Sequence, residues 1–142
     1  DIDRLPPLTR RALLEGIEKT KENTRMTLTL ALNYSARWEI TEAMRKAAQL
    51  VSEGKLSATD INEAQVSSLL ATSHMPDPEL LIRTSGEHRI SNFLLWQIAY
   101  TELYFSDVYW PDFEREDFYN AIIDFQHRER RFGKISEQLT HP

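Results

Sequence analysis

The sequence predicts an α/β protein: part of a mostly parallel sheet flanked by helices, with N-terminal strands missing from this chain. Residues 26–32 alternate Thr with Leu and Ala and favour a strand, whereas residues 40–51 place apolar side chains at helical spacing. Residues 80–82 are apolar throughout, which is typical of a strand buried on both faces of a parallel sheet. A sheet of two strands cannot bury residues 80–82 on both faces, so partner strands are expected outside this chain. The start at Asp1 rather than Met agrees with that expectation.

The first half of the chain predicts helices on either side of the first strand. A helix over about residues 8–20 follows a proline pair, and the helix at residues 40–51 ends at Gly54. A short helix is expected from a capping region at residues 57–60 to about residue 71. Strand, helices and strand together describe a βαβ unit, for which a right-handed crossover is expected.

The second half of the chain predicts two more helices after the apolar strand. Ser91 or Asn92 is expected to cap a helix that runs through residue 105, after a turn at Ser85 and Gly86. A final amphipathic helix is expected over about residues 114–131, closed by Gly133.

Length and composition limit the classes of protein. The 142 residues fit one domain, and 41% hydrophobic residues can form a core. The absence of Cys excludes disulfide scaffolds, thiolate zinc sites and Cys nucleophiles, and it suits a reducing cytoplasm. The net charge of -5 disfavours nucleic acid as a partner, so any anion site must be local. No stretch is apolar and long enough to predict a transmembrane helix.

The segment after the second predicted strand is rich in groups that bind anions. Open α/β sheets bind ligands at the carboxyl ends of their strands, where this sequence places Arg83 and Arg89. Two forked cations, the Ser91 hydroxyl and free backbone N–H groups at a helix start would seat a phosphate or diphosphate. The alternative is that both arginines pair with Glu87 and neighbouring carboxylates, while Gly86 supplies only a turn. The sequence contains no P-loop and no dinucleotide-binding glycine motif.

The same segment closely resembles the C-terminal signature of the cis-prenyltransferase family, in particular its bacterial members that make undecaprenyl diphosphate. The resemblance lies in RTSGEHRISNFLLWQ at residues 83–97, AYTELYF at 99–105, NY at 33–34, WPDF at 110–113 and RERRFG at 128–133. It covers nearly the whole chain, so residues 1–142 are interpreted as the C-terminal part of a single catalytic domain. Ser35, Ala36 and Ser85 stand where the family usually has Gly. The family's N-terminal half, with its magnesium-binding Asp, is not in the sequence, so no catalytic residue is expected in this chain.

The resemblance implies a reaction and a substrate site. Family members extend an allylic diphosphate with isopentenyl diphosphate units in cis geometry and release diphosphate at each step. By resemblance, Arg83, Arg89 and Ser91 would hold isopentenyl diphosphate, and Ile90 would contribute mainly its backbone. Arg131 resembles the Arg of an Arg-x-Gly element that reaches the diphosphate site of the neighbouring subunit. The alternative for residues 128–131 is that their cations only complement a helix dipole.

The resemblance also implies Mg²⁺ as a cofactor. Glu102 matches the family's metal-binding glutamate, and a carboxylate is a ligand that this hard cation prefers. The alternative for Glu102 is a solvent-facing helix residue. His88 is a second metal candidate, although imidazole is a poor magnesium ligand and a hydrogen-bonding loop histidine is an equal alternative.

The resemblance also implies a homodimer. The protein is expected in the cytoplasm, peripherally at the inner membrane face, and its product is expected to partition into the membrane. Part of the aromatic and aliphatic side chains of residues 93–105 would form the dimer interface, the alternative being that they belong to the domain core. The main alternative function is a non-catalytic partner subunit of a heteromeric prenyltransferase. Trans-type prenyltransferases are excluded because the sequence has no Asp-Asp pair. The 142-residue chain alone is not expected to turn over.

Overall fold

A computed structural model describes residues 2–128 and contains four α-helices and a two-stranded parallel sheet, which confirms the predicted α/β class. In chain order the elements are α1 (Pro7–Thr20), α2 (Ala36–Ser52), α3 (Glu63–Leu69), β1 (Leu80–Arg83), β2 (Glu102–Phe105) and α4 (Arg115–His127). Short 3₁₀ turns occupy Ile2–Arg4, Ala58–Asp60 and Trp110–Asp112. None of the helices in the described range is long and apolar enough to cross a membrane.

The sheet consists of β1 and β2, which run parallel with Leu80 opposite Glu102 and Arg83 opposite Phe105. The prediction of a parallel strand at residues 80–82 is therefore confirmed. Its burial on both faces is not, because all four residues of β1 are only half-buried. Neither strand has a second neighbour among residues 2–128, so one edge of each stays unpaired.

The strand predicted at residues 26–32 is wrong for this structure, since the segment has no regular secondary structure. Its alternate apolar side chains face solvent, with Met26 79%, Leu28 76% and Leu30 57% exposed. Alternation selects which side of a strand is apolar, but the strand itself forms only where backbone groups pair with a neighbour. The parallel pair is therefore β1 with β2, and the expected βαβ unit beginning at residue 26 is not formed.

The helix predicted through residue 105 is also wrong. Residues 91–100 form successive turns, and the chain then enters β2. Ser91, Asn92 and Leu94 have φ values of 54°, 61° and 48°, which are incompatible with a right-handed helix. We call residues 84–101, which join the ends of the two parallel strands, the crossover segment.

Helix α2 supplies half of the small core, four of the eight buried residues within residues 2–128. Ser35 caps it by accepting a hydrogen bond from Trp38 N at 3.3 Å, so the helix begins earlier than the apolar spacing predicted. One face of α2 is buried and packs against α3. The buried residues of that face are Ala36, Glu39, Ala43 and Ala47. Gln97 and Ile98 of the crossover segment are buried as well.

Helix α4 packs on β2 and begins with a capping box between Glu114 and Asp117. Its predicted start at residue 114 is confirmed to within one residue. The helix ends at His127, followed by Arg128 in an extended conformation, so the predicted end at residue 131 is wrong. The expected closing Gly133 lies outside the described residues.

Candidate functional site

The loop after β1 is a tight turn fixed by its own backbone. Ser85 and Gly86 both lie in the left-handed region, with φ of 71° and 63°. Ser85 N donates to Val108 O at 2.8 Å, and Gly86 N donates to Ser106 O at 2.9 Å. The expectation of free backbone N–H groups is therefore wrong at these two residues, which hold the loop against the chain that leaves β2.

Arg83 and Arg89 converge on one carboxylate, as the ion-pair alternative expected. Glu87 Oε2 lies 4.0 Å from the Arg83 guanidinium and forms a closer ion pair with Arg89. Two cations sharing one carboxylate leave one positive charge in excess. Arg83 Nε is buried without a hydrogen-bond partner among the described residues. Both arginines are therefore paired with Glu87, and their role toward a further anion stays a prediction.

His88 lies at the same end of the sheet as the two arginines. Its ring is exposed and sits 5.2 Å from the ring of Phe105, the last residue of β2. An aromatic contact of this kind orients the imidazole without engaging its nitrogens. The contact agrees with the alternative of a loop histidine and leaves its metal role a prediction.

Ser91 does not cap a following helix, because the chain after it turns. Instead, its neighbour Asn92 caps α2 from a distance. Asn92 Oδ1 accepts from Arg37 N at 2.9 Å, and the Asn92 carbonyl accepts from Ala36 N at 3.0 Å. Sequence reasoning missed this contact, since nothing local to Asn92 indicates a helix that lies more than fifty residues earlier. Ile90, the residue before Ser91, is half-buried, and Ser91 is exposed.

A second missed feature is a buried polar cluster beneath the crossover segment. Glu39, only 3% exposed, accepts hydrogen bonds from Tyr34 Oη at 2.5 Å and Gln97 Nε2 at 3.1 Å through Oε2. Its Oε1 accepts from Ala71 N at 2.8 Å. Burial raises the pKa of Tyr34 above its ordinary value, and the hydrogen bond to Glu39 adds to the rise. A charged residue on the apolar face of α2 was the sequence signal for this cluster.

Glu102 lies at the other end of the strand pair from residues 83–91, which we call the arginine loop. Glu102 is the first residue of β2 and lies opposite Leu80. Arg83 lies opposite Phe105, three residues further along the strands, which is a distance of about 10 Å. Its Oε2 accepts a hydrogen bond from Arg128 at 2.9 Å, and Arg128 also pairs with Asp124 at 2.5 Å. The hydrogen bond to Glu102 raises the pKa of Arg128, so this guanidinium stays charged. Glu102 is therefore not the solvent-facing helix residue that the alternative expected. It lies in a strand and forms a half-buried ion pair with Arg128.

The residues present do not by themselves make a magnesium site. No group of three His, Asp or Glu side chains able to hold a metal occurs within residues 2–128. Glu102 offers the right donor chemistry, but its carboxylate is engaged by Arg128.

The other residues predicted for the substrate site and the dimer interface fall into three groups: core residues, surface residues and residues outside the range 2–128. Arg131 lies outside the described residues. Of the residues expected to form a dimer interface, Ile98 is buried and Trp96 Nε1 donates to Ser67 Oγ of α3 at 3.0 Å, so these two belong to the domain. Tyr100 is 76% exposed and Phe93 38% exposed, so they remain available to a partner.

Comparison with known proteins agrees with the cis-prenyltransferase resemblance. An isoprenyl transferase from Bacillus thuringiensis subsp. konkukian is 59% identical over 133 residues, which are 94% of this chain and 52% of that protein. An isoprenyl transferase from Chlorobaculum tepidum is 54% identical over 139 residues, or 98% of this chain and 52% of that protein. The chain thus spans about half the length of the curated relatives it matches.

Two solved structures share the fold. Lavandulyl diphosphate synthase from Lavandula x intermedia, in complex with dimethylallyl diphosphate, superposes with a TM-score of 0.90 at 39% identity, covering 94% of this chain and 58% of that one. A probable undecaprenyl diphosphate synthase from Campylobacter jejuni gives a TM-score of 0.76 at 34% identity, covering 94% and 60%. A family model described as putative undecaprenyl diphosphate synthase matches residues 1–133. The chain therefore belongs to this prenyltransferase family.

Proposed function

We propose that the protein is a cis-prenyltransferase that condenses isopentenyl diphosphate units onto an allylic diphosphate. The observation that carries the proposal is the pair Arg83 and Arg89, which share the single carboxylate of Glu87 at the carboxyl end of β1. That pair keeps one positive charge in excess and one buried donor, Arg83 Nε, without a partner. The family supplies the reaction class, and the arginine loop supplies a seat for the diphosphate.

Within this site each residue has a distinct role toward isopentenyl diphosphate. The guanidinium groups of Arg83 and Arg89 bind the diphosphate oxygens and fix its orientation, because planar forks make paired hydrogen bonds. Ser91 donates its exposed hydroxyl, and Ile90 contributes its backbone. By resemblance, Arg131, which lies outside the described residues, would bind the diphosphate of a neighbouring subunit in a homodimer.

The product is proposed to be a polyprenyl diphosphate, undecaprenyl diphosphate, which partitions into the membrane and serves cell-wall synthesis. The protein would act in the cytoplasm at the inner membrane face. The description of the family and the probable synthase from Campylobacter jejuni support this product. Lavandulyl diphosphate synthase shares the fold but is named for a different product. The length of the product must therefore be measured by chromatography of the reaction mixture.

Magnesium is proposed as a cofactor to which this chain contributes one ligand. Glu102 would supply a carboxylate oxygen once the Arg128 ion pair opens, and by resemblance the substrate and the Asp of the family's N-terminal half, which is not in the sequence, would supply the others. His88 would approach the metal or the diphosphate from the arginine loop.

The test is the Arg89→Ala variant of the protein at its natural full length, compared with Arg45→Ala. The two arginines are matched: each is 69% exposed and each pairs with a glutamate that is 34% exposed. We expect Arg89→Ala to raise the KM for isopentenyl diphosphate at least about tenfold, as loss of a substrate contact does. Arg45→Ala should leave it unchanged.

Arg83→Lys should also raise this KM, because an ammonium group cannot replace a fork. Equal KM values for Arg89→Ala and Arg45→Ala would refute the site. Absence of turnover by the wild-type full-length protein, restored by a second prenyltransferase chain, would instead favour the partner-subunit function.

A further inference from the structure

Asn92 joins the crossover segment to the start of α2 through three consecutive residues. Its carbonyl accepts from Ala36 N at 3.0 Å, its Oδ1 accepts from Arg37 N at 2.9 Å, and its Nδ2 donates to Ser35 Oγ at 2.8 Å. The first N–H groups of a helix have no partners within the helix. Asn92 satisfies two of them, and Ser35 satisfies a third at Trp38 N.

The anchor point at α2 belongs to the best-packed part of the described structure. Ala36 is fully buried at 0% exposure, and three further residues on the same face of α2 are buried. A residue hydrogen-bonded to this end of α2, as Asn92 is, is therefore held in place by the core and not by the surface loop. The exposed residues on the arginine loop, Arg89 and Ser91, have no such support of their own.

The backbone next to the anchor is strained. Ser91 and Asn92 have φ values of 54° and 61°, in the left-handed region, which is unfavourable for Ser and which Asn adopts more readily. Such conformations persist only where the surroundings impose them. The three hydrogen bonds of Asn92 are the contacts that impose this one, one residue after Ser91 and three after Arg89.

We propose that Asn92 is a positioning residue: by capping α2 from the crossover segment, it holds Ser91 and Arg89 where they bind isopentenyl diphosphate. The inference rests on the proposed function, since it concerns the geometry of the same substrate site. Asn92 itself touches no substrate in this proposal and acts only through its neighbours.

The test compares Asn92→Gly with Asn62→Gly in the full-length protein. Glycine adopts the left-handed conformation of residue 92 without strain and keeps the carbonyl bond to Ala36 N, so only the side-chain contacts are lost. Asn62 is the matched control, because its Oδ1 caps α3 by accepting from Gln65 N at 2.9 Å, outside the crossover segment. Both variants remove one asparagine cap and should lower the melting temperature by similar amounts.

We expect Asn92→Gly to raise both the KM and the calorimetric Kd for isopentenyl diphosphate by about tenfold to a hundredfold, as misplacement of binding groups does. Asn62→Gly should change neither quantity. Ser35→Gly removes the acceptor of the Asn92 amide together with the Ser35 cap on Trp38 N, and it should give a smaller rise in KM and Kd in the same direction. It keeps the proposal testable if Asn92→Gly folds poorly.

Arg89→Ala, measured in parallel, separates the two hypotheses. If Arg89→Ala weakens binding while Asn92→Gly behaves like Asn62→Gly, the positioning role is refuted and the substrate site stands. If Arg89→Ala leaves KM and Kd unchanged, the proposed substrate site is refuted, and the positioning role of Asn92 is refuted as well.

Discussion

Removing the buried carboxylate of Glu39 tests how the crossover segment is held on α2. Glu39 is 3% exposed and has no cationic partner among the residues described, so three hydrogen-bond donors satisfy it instead. These donors come from Tyr34, Ala71 and Gln97, which lie before α2, after α3 and within the crossover segment. Glu39→Ala therefore removes the common acceptor of three chain segments.

The expected cost of Glu39→Ala follows from what each donor loses. A buried donor left without a partner costs about 1–3 kcal/mol. Tyr34 is only half-buried and Ala71 is exposed, so water can replace part of their bonds. Removing an unpaired buried charge also returns some desolvation energy. We expect the free energy of unfolding to fall by about 2–4 kcal/mol.

Glu39→Gln should be much milder, because Gln97 can adapt to it. Gln97 Nε2 donates to Glu39 and to Thr72 Oγ1 at 2.8 Å, whereas its Oε1 is buried without a partner. An amide at residue 39 introduces a new donor, and rotation of the Gln97 amide turns its free oxygen toward that donor. We expect a loss of about 1 kcal/mol or less.

Urea unfolding of the full-length protein, followed by circular dichroism, measures both variants. Glu42→Gln is the control, since Glu42 lies on the same helix and forms an exposed ion pair with Arg45. The control should shift stability by less than about 0.5 kcal/mol. A Glu39→Gln variant as unstable as Glu39→Ala would show that the negative charge, not the hydrogen-bond geometry, holds the cluster.

Three further predictions concern other parts of the chain. Gly86→Ala should destabilise the protein by about 1 kcal/mol or more, because φ at residue 86 is +63° and a Cβ would lie 3.4 Å from Asp107 Oδ1. Gly16 lies within α1 and a Cβ there would meet open space, so Gly16→Ala should stabilise the protein by up to about 1 kcal/mol in the same unfolding assay. Glu102→Gln should raise the magnesium concentration needed for half-maximal activity, and superimposable titration curves would count against Glu102 as a ligand. Because the pKa of Tyr34 is higher in the folded state, stability should fall as the pH rises above about 10, and less so in Tyr34→Phe.

The elements that the sequence predicted well are those whose signals are local. Helix α2 has its apolar spacing, and β1 has an uninterrupted apolar run. Residues 26–32 and 92–105 were mispredicted because their conformation depends on distant partners. The first segment lacks a neighbouring strand among the described residues, and the second finds one in β1.

The site was predicted in composition but not in geometry. The spacing of Arg83, Glu87 and Arg89 within one loop indicated both an ion cluster and an anion site, and the structure contains the ion cluster. The partners of Asn92 and Glu102 could not be read from the sequence. Their contacts join positions 55 and 26 residues apart, and no periodic pattern reports such separations.

The same physical principle accounts for the ion pairs of Glu87 and of Glu102. Glu87 neutralises part of the charge of two arginines, and Arg128 neutralises Glu102 at the opposite end of the strands. An unpaired charge at a half-buried site is costly, and each of these charges has a counter-ion within the described residues. In the function proposed above, a diphosphate binds at the excess positive charge of the arginine loop and at Arg83 Nε, which has no hydrogen-bond partner among the described residues. Because a diphosphate carries more negative charge than one carboxylate, we expect it to weaken the ion pairs that Glu87 forms with the two arginines.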